Sequence, residues 1–195
     1  MNVLLIAADA NMHKFMLFGK LKSAREAPLT LTTLAAIGSV HPDIRFSLID
    51  ESVDRVPVDA RPDLVGISVL TGTARRAYAI ADHFRRRGIP VVLGGVHVTL
   101  MPEEALSFAD AVVVGMAEET WPQLLADFKA GTMKKIYRQG EPREIFDMPT
   151  PRYDLQRKSG YMLPYVVQTT RGCMHSCDFC TVPSVWSKYM RRPVS

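Results

Sequence analysis

The strongest constraint on this chain is a repeated alternation of short apolar runs with stretches of helical period. Val3–Ala7, "VLLIA", has no polar side chain, the pattern of a strand covered on both faces. Next, "PLTLTTLAAIGSV" over residues 28–40 puts Leu31, Leu34 and Ile37 on one helical face. The alternation then repeats. Strands are expected at Phe46–Ile49, Asp63–Leu70, Pro90–Gly95 and Ala111–Gly115. Helices are expected at Thr73–Arg87, at Pro102–Phe108 with proline at its start, and at Glu119–Ala130. Five strands joined by helical crossovers predict an α/β domain over residues 1–130. Its sheet is parallel and doubly wound, of flavodoxin-like or Rossmann-like type, with right-handed connections.

Composition narrows the function classes. The net charge of +4 is dispersed, and the densest basic run, Arg85-Arg86-Arg87, immediately precedes Gly88. Cations at a helix end followed by glycine read as a C-terminal cap. No aromatics interleave with them, so a nucleic-acid surface is not indicated. No apolar run approaches the ~20 residues of a membrane span. "MNVLLIAADA" has no basic start and reaches Asp9 early, which argues against a signal peptide. A cytoplasmic protein with reduced thiols is therefore expected.

Ligands of such sheets bind beyond the carboxyl ends of the strands. Those ends carry Ala8-Asp9, Ser68-Val69-Leu70, Gly94-Gly95 and Gly115. Neither GxxxxGK[ST] nor a GxGxxG after the first strand occurs, so the usual triphosphate and dinucleotide readings fall. The S-x-L of Ser68–Leu70 and the paired Gly94-Gly95 together resemble elements of flavodoxin-like cobalamin-binding domains. "PLTLTTLAAI", "GGVHVTLMPEEAL" and "VVVGMAEETWPQLLADF" are similar to the cobalamin-binding N-terminal domain of many radical S-adenosylmethionine (radical SAM) proteins. The resemblance implies that Ser68, Leu70, Gly94, Gly95 and Gly115 line a slot for the nucleotide tail of cobalamin. His97 is a further candidate, either as a contact to the corrin or the facing domain, or as a residue bonded locally where a helix starts.

Two positions depart from that pattern. A better-known branch of the family has D-x-H-x-x-G after the first strand, with its histidine on cobalt. Here "DANMHKF" separates Asp9 from His13 by three residues and supplies no matching glycine. The expectation is a displaced tail with no protein imidazole below the metal. Met116 stands where relatives commonly carry glutamate.

All three cysteines lie in "QTTRGCMHSCDFCTV", spaced C-x3-C-x2-C at Cys173, Cys177 and Cys180. Three thiolates from one loop can hold three irons of a [4Fe–4S] cube and leave the fourth open. Zinc with His175 as fourth ligand is the first alternative, but that side chain sits inside a four-residue step. A redox C-x-x-C at Cys177 and Cys180 is the second. The spacing, with Phe179 before the third cysteine, "TTRG" before it and Arg191–Pro193 after it, resembles the radical SAM signature, although Met174 replaces a common proline. That resemblance implies S-adenosyl-L-methionine on the open iron, cleavage to a 5′-deoxyadenosyl radical, and an electron donor such as a flavodoxin or ferredoxin. Arg171 could offset the charge of the cluster.

"YVVQTT" at Tyr165–Thr170 is expected to be a strand whose carboxyl end presents the cysteine loop. Residues 131–164 lose periodicity and hold four prolines, so an irregular linker is expected, anchored by Tyr137, Phe146 and Tyr153. Fifteen residues follow Cys180, far fewer than the ~250 of an eight-unit barrel. Residues 165–195 are thus read as the start of an incomplete radical SAM domain, packed incompletely from Tyr165 onward. The combined expectation is the N-terminal part of a cobalamin-dependent radical SAM enzyme that modifies, by methylation or otherwise, an unactivated carbon of an unidentified small molecule. The alternatives are a corrinoid-binding module without catalysis and a radical SAM enzyme whose first domain no longer binds cobalamin.

Overall fold

The computed structural model describes residues 1–9, 14–18, 20–139, 148–186 and 189–191, with the side chains of residues 20, 21 and 25 left aside. In chain order the elements are β1 (Asn2–Ala7), β2 (Lys14–Leu17), β3 (Lys20–Glu26), α1 (Leu29–Gly38), β4 (Arg45–Asp50), β5 (Leu64–Ser68), α2 (Ala74–Arg86) and β6 (Val91–Gly94). They continue with α3 (Val96–Leu100), α4 (Pro102–Ser107), β7 (Ala111–Val114), α5 (Thr120–Lys129), β8 (Ile136–Arg138), β9 (Tyr161–Leu163), β10 (Thr170–Arg171), α6 (Val182–Val185) and β11 (Met190–Arg191).

The main sheet has the order β4-β1-β5-β6-β7-β8, and all its pairings are parallel. It is the doubly wound α/β sheet expected, with a sixth strand. The extra strand, β8, falls in the stretch read as linker. At three residues it is too short to register as a period, yet Tyr137 is buried and anchors it. Its hydroxyl donates to Asp127 Oδ2 (2.8 Å) and accepts the Lys134 amide (2.9 Å).

Two cores sandwich the sheet. On one face α2 and α4 bury Ala77, Ile80, Phe84 and Ala105 against Ile6, Ile67 and Leu93. On the other, α1 and α5 bury Leu31, Ala35, Trp121 and Leu124 against Leu5, Val92 and Val113. Fully burying such aliphatic side chains stabilises by roughly 1.5–3 kcal/mol each. The strand order reverses beside β1, which pairs with β4 on one side and β5 on the other. That reversal places a crevice at the carboxyl edge.

Two further differences bear on the site. A hairpin of β2 and β3, joined by β9 in a second sheet, stands where no element was expected. Of Tyr165–Thr170, expected as a strand, residues 165–169 form none; only Thr170, with Arg171, pairs, antiparallel to Met190–Arg191. β-branched residues favour a strand only where a partner strand offers its ladder, and Tyr165 and Val167 stay exposed. Met174 (70%) and Phe179 (91%) are exposed as well. Among the described residues no helix is long and apolar enough to cross a membrane.

Candidate functional site at the carboxyl edge of the sheet

Two adjoining cavities open over the strand ends. The first, about 260 Å³, runs between α1 and the sheet; Leu34, Ile37, Val92, Val113 and Trp121 form its apolar wall. The second, about 470 Å³, lies over the ends of β1 and β4 and is bordered by Asp9, Glu26, Asp50 and Ser52. Ser68, Leu70, Leu29, Thr30 and Gln168 line both. Five of the residues expected at the ligand edge, Ser68, Leu70, Gly94, Gly95 and Gly115, therefore border the apolar cavity together. The periodicity reading placed each of them at a strand end, and the parallel register converts those ends into one rim.

Backbone geometry explains the glycine at position 95. Its φ is +105°, and a Cβ there would lie 2.8 Å from the Val69 carbonyl oxygen and 3.4 Å from Ser68 Oγ. The β5 and β6 loops approach so closely that only glycine fits. Gly94 differs, since a Cβ on it would meet Val113 Cβ at an ordinary 3.6 Å. A cavity rimmed by glycines and walled by apolar side chains suits a flat or elongated organic ligand.

His97 belongs elsewhere. Its ring is buried and lines neither cavity. Nε2 lies 3.1 Å from Tyr78 Oη and 3.4 Å from Glu104 Oε1, and Nδ1 lies 3.3 Å from Thr71 Oγ1. These partners sit on the α2 side of the sheet, opposite the cavity wall. Burial, with the Glu104 hydrogen bond second, pushes the Tyr78 phenol up to about 12, so it stays neutral. Of the two roles open to His97, the geometry favours the local one. His13 lies outside the described residues, as do Phe146, Arg192 and Pro193.

Three lining residues were not foreseen. Thr99 Oγ1 donates to the Gly95 carbonyl (3.0 Å) and accepts the Gly115 amide (3.0 Å), tying two of the loops together. Trp121 Nε1 donates to the Leu34 carbonyl at 3.1 Å, which fixes α5 against α1 at the cavity floor. Glu118 pairs with Arg171, two residues before Cys173. Trp121 could have been found as a large apolar residue on the α5 face; Thr99 and Glu118 carry no periodic signal.

Arg171 connects the cavity with the cysteine loop. Its Nη1 donates to Glu118 Oε1 and lies 3.7 Å from Met116 Sδ, and Nη2 donates to Gln168 Oε1 at 3.1 Å. Arg171, two residues before Cys173, is thus engaged at the sheet edge. Cys173 and Cys177 are exposed and Cys180 half-buried, all as free thiols. The His175 amide donates to Cys173 Sγ at 3.5 Å, and Cys180 N–H donates to the Cys177 carbonyl at 3.0 Å. The loop is thus turned and one sulfur already accepts a backbone N–H, as cluster sulfurs do. Among the described residues, however, no three ligating side chains are gathered closely enough to share a metal ion. The donors have the chemistry of a thiolate-held cluster, and their arrangement is not preassembled.

Residues 34–125 match the family described as the B12 binding domain. That span includes every cavity residue from Leu34 to Trp121. The chain is 34% identical over 176 residues to bacteriochlorophyllide d C-8(2)-methyltransferase of Chlorobaculum tepidum, covering 86% of this chain and 39% of that protein. It is 32% identical over 169 residues to bacteriochlorophyllide d C-12(1)-methyltransferase of the same organism, covering 84% and 37%. Hopanoid C-2 methylase of Rhodopseudomonas palustris is 26% identical over 167 residues, covering 81% and 31%. The chain spans about two fifths of the length of the two bacteriochlorophyllide relatives.

Proposed function

We propose, from the match of residues 34–125 to the B12 binding domain family, that the apolar cavity is the seat of a corrinoid. Ser68, Leu70, Gly94, Gly95 and Gly115 would hold its nucleotide tail. The observation that carries this reading is their convergence on one cavity walled by Leu34, Val92, Val113 and Trp121. His97 is committed to Tyr78 and Glu104, so it is not assigned to cobalt.

Cys173, Cys177 and Cys180 are proposed to hold a [4Fe–4S] cluster that binds S-adenosyl-L-methionine. When bound, these groups supply radical generation and methyl delivery; the protein supplies orientation and exclusion of water. The chain's own part begins with Arg171, whose pairing with Glu118 holds the start of the cysteine loop against the corrinoid edge. The names of the relatives support a methylation-related reaction, with methylation of an unactivated carbon as the specific proposal and a flavodoxin or ferredoxin as electron source. The test is gel filtration with hydroxocobalamin: the chain should retain the coloured ligand, and Gly94→Val, which fills the rim, should release it. Failure of the unaltered chain to retain it would leave a docking domain with an empty edge.

A second reading, a corrinoid-binding module without catalysis in this chain, is favoured by the cysteine sulfurs that do not converge. Anaerobic reconstitution with iron and sulfide separates the two, because a bare module takes up no cube.

A further inference from the structure

Glu118, on the loop after β7, has one carboxylate oxygen engaged and the other idle. Oε1 accepts from Arg171, whereas Oε2 is buried and has no hydrogen-bond partner. The side chain lines the apolar cavity beside Gly115, Met116 and Ala117. A buried carboxylate oxygen without a donor is costly, more so than a neutral carbonyl. Arg171 could in principle grip both oxygens in a two-pronged pair, but its Nη2 is turned to Gln168. The fork is half used.

We infer that Glu118 is a cofactor-contacting residue whose Oε2 accepts an N–H from a primary amide on the rim of the corrin ring. This rests on the corrinoid reading above and adds the protein group that meets the ring and the chemical group it meets. The rim of cobalamin bears neutral primary amides, each an N–H donor. An amide supplies the missing donor, and the charged acceptor makes that hydrogen bond about twice as strong as a neutral one. A carboxylate at the same rim position would face Glu118 as a like charge. The site therefore selects amidated corrinoids over those with an acid at that position. Because the Arg171 pair occupies the other oxygen, the same residue joins the corrinoid edge to the strand leading into the cysteine loop.

The experiment is a visible-absorbance titration of the full chain with hydroxocobalamin and with a set of its single-amide-to-acid derivatives. Unaltered protein should bind one derivative about tenfold or more weakly than hydroxocobalamin, the scale of a hydrogen bond to a charged acceptor. The isosteric variant Glu118→Gln should bind hydroxocobalamin about tenfold more weakly and lose that discrimination. Equal binding of every derivative by the unaltered chain overturns the inference, and that arm holds even if the variant does not fold. Unchanged affinity in folded Glu118→Gln also overturns it while leaving the corrinoid reading in place. No binding of hydroxocobalamin by the unaltered chain overturns both.

Discussion

Thr99 Oγ1 lies 3.0 Å from the Gly115 amide nitrogen and donates, also at 3.0 Å, to the Gly95 carbonyl. One hydroxyl thus sets the spacing of the loops after β6 and β7, which are two sides of the cavity rim. Thr99→Val keeps the shape and removes the hydroxyl, leaving a half-buried amide and carbonyl without it. The expected cost is about 1–3 kcal/mol, read as a lower urea midpoint with an unchanged slope. Affinity for hydroxocobalamin should fall with it. An unchanged midpoint and affinity would remove Thr99 from the site.

The paired glycines should respond differently. Gly95→Ala meets the Val69 carbonyl at 2.8 Å from a φ of +105°, so it should destabilise by about 1–3 kcal/mol. Gly94→Ala makes only ordinary contact with Val113 and should fold normally while narrowing the cavity. Thermal melts of both variants, with hydroxocobalamin binding of Gly94→Ala, check this. Equal melting temperatures for the two would contradict the close approach of the β5 and β6 loops.

How much of this was legible in the sequence follows from what generates each signal. β1, β5, β6 and β7 stood out because strands buried on both faces exclude polar side chains, as in "AVVV" at Ala111–Val114. The rim residues followed, because parallel register fixes where strands end. The hairpin did not, since Lys14–Glu26 mixes charged and apolar residues and its turn passes through Phe18 at φ +49° with its side chain 94% exposed. Tyr165–Thr170 misled in the opposite sense, having strand propensity without a neighbouring strand. The commitment of His97 to Tyr78 and Glu104 depends on residues 19 and 7 positions away, and no local pattern reports that.

Alkaline pH should weaken the fold in a defined window. Burial raises the phenols of Tyr78, to about 12, and of Tyr161 and Tyr137, with Asp50 adding at Tyr161. A group with a raised folded pKa favours the fold below its unfolded value of about 10 and loses that contribution as pH rises through the folded value. Urea midpoints should therefore hold to about pH 9 and fall between about pH 10 and 12. Tyr78→Phe should make the fall shallower. A flat profile across that window would contradict the neutral, buried state of these phenols.

For the cysteine loop, anaerobic reconstitution of the chain should yield about four irons per protein, and Cys173→Ala, Cys177→Ala and Cys180→Ala should each abolish the full cluster spectrum. Because none of the three cysteines belongs to either core of the sheet, the variants should leave the melting temperature of the sheet domain unchanged. Zinc in place of iron, or a full cluster in any variant, would remove the cluster from the account.

Both tryptophans of the chain, Trp121 and Trp186, line the apolar cavity. Tryptophan fluorescence during a hydroxocobalamin titration, in unaltered protein and in Trp186→Phe, therefore tests occupancy of that cavity most directly. A corrinoid seated there should quench the emission in a saturable manner, and Trp121 alone should still report it in the variant. Emission that declines only in proportion to the absorbance of added ligand, without saturation, would contradict the account.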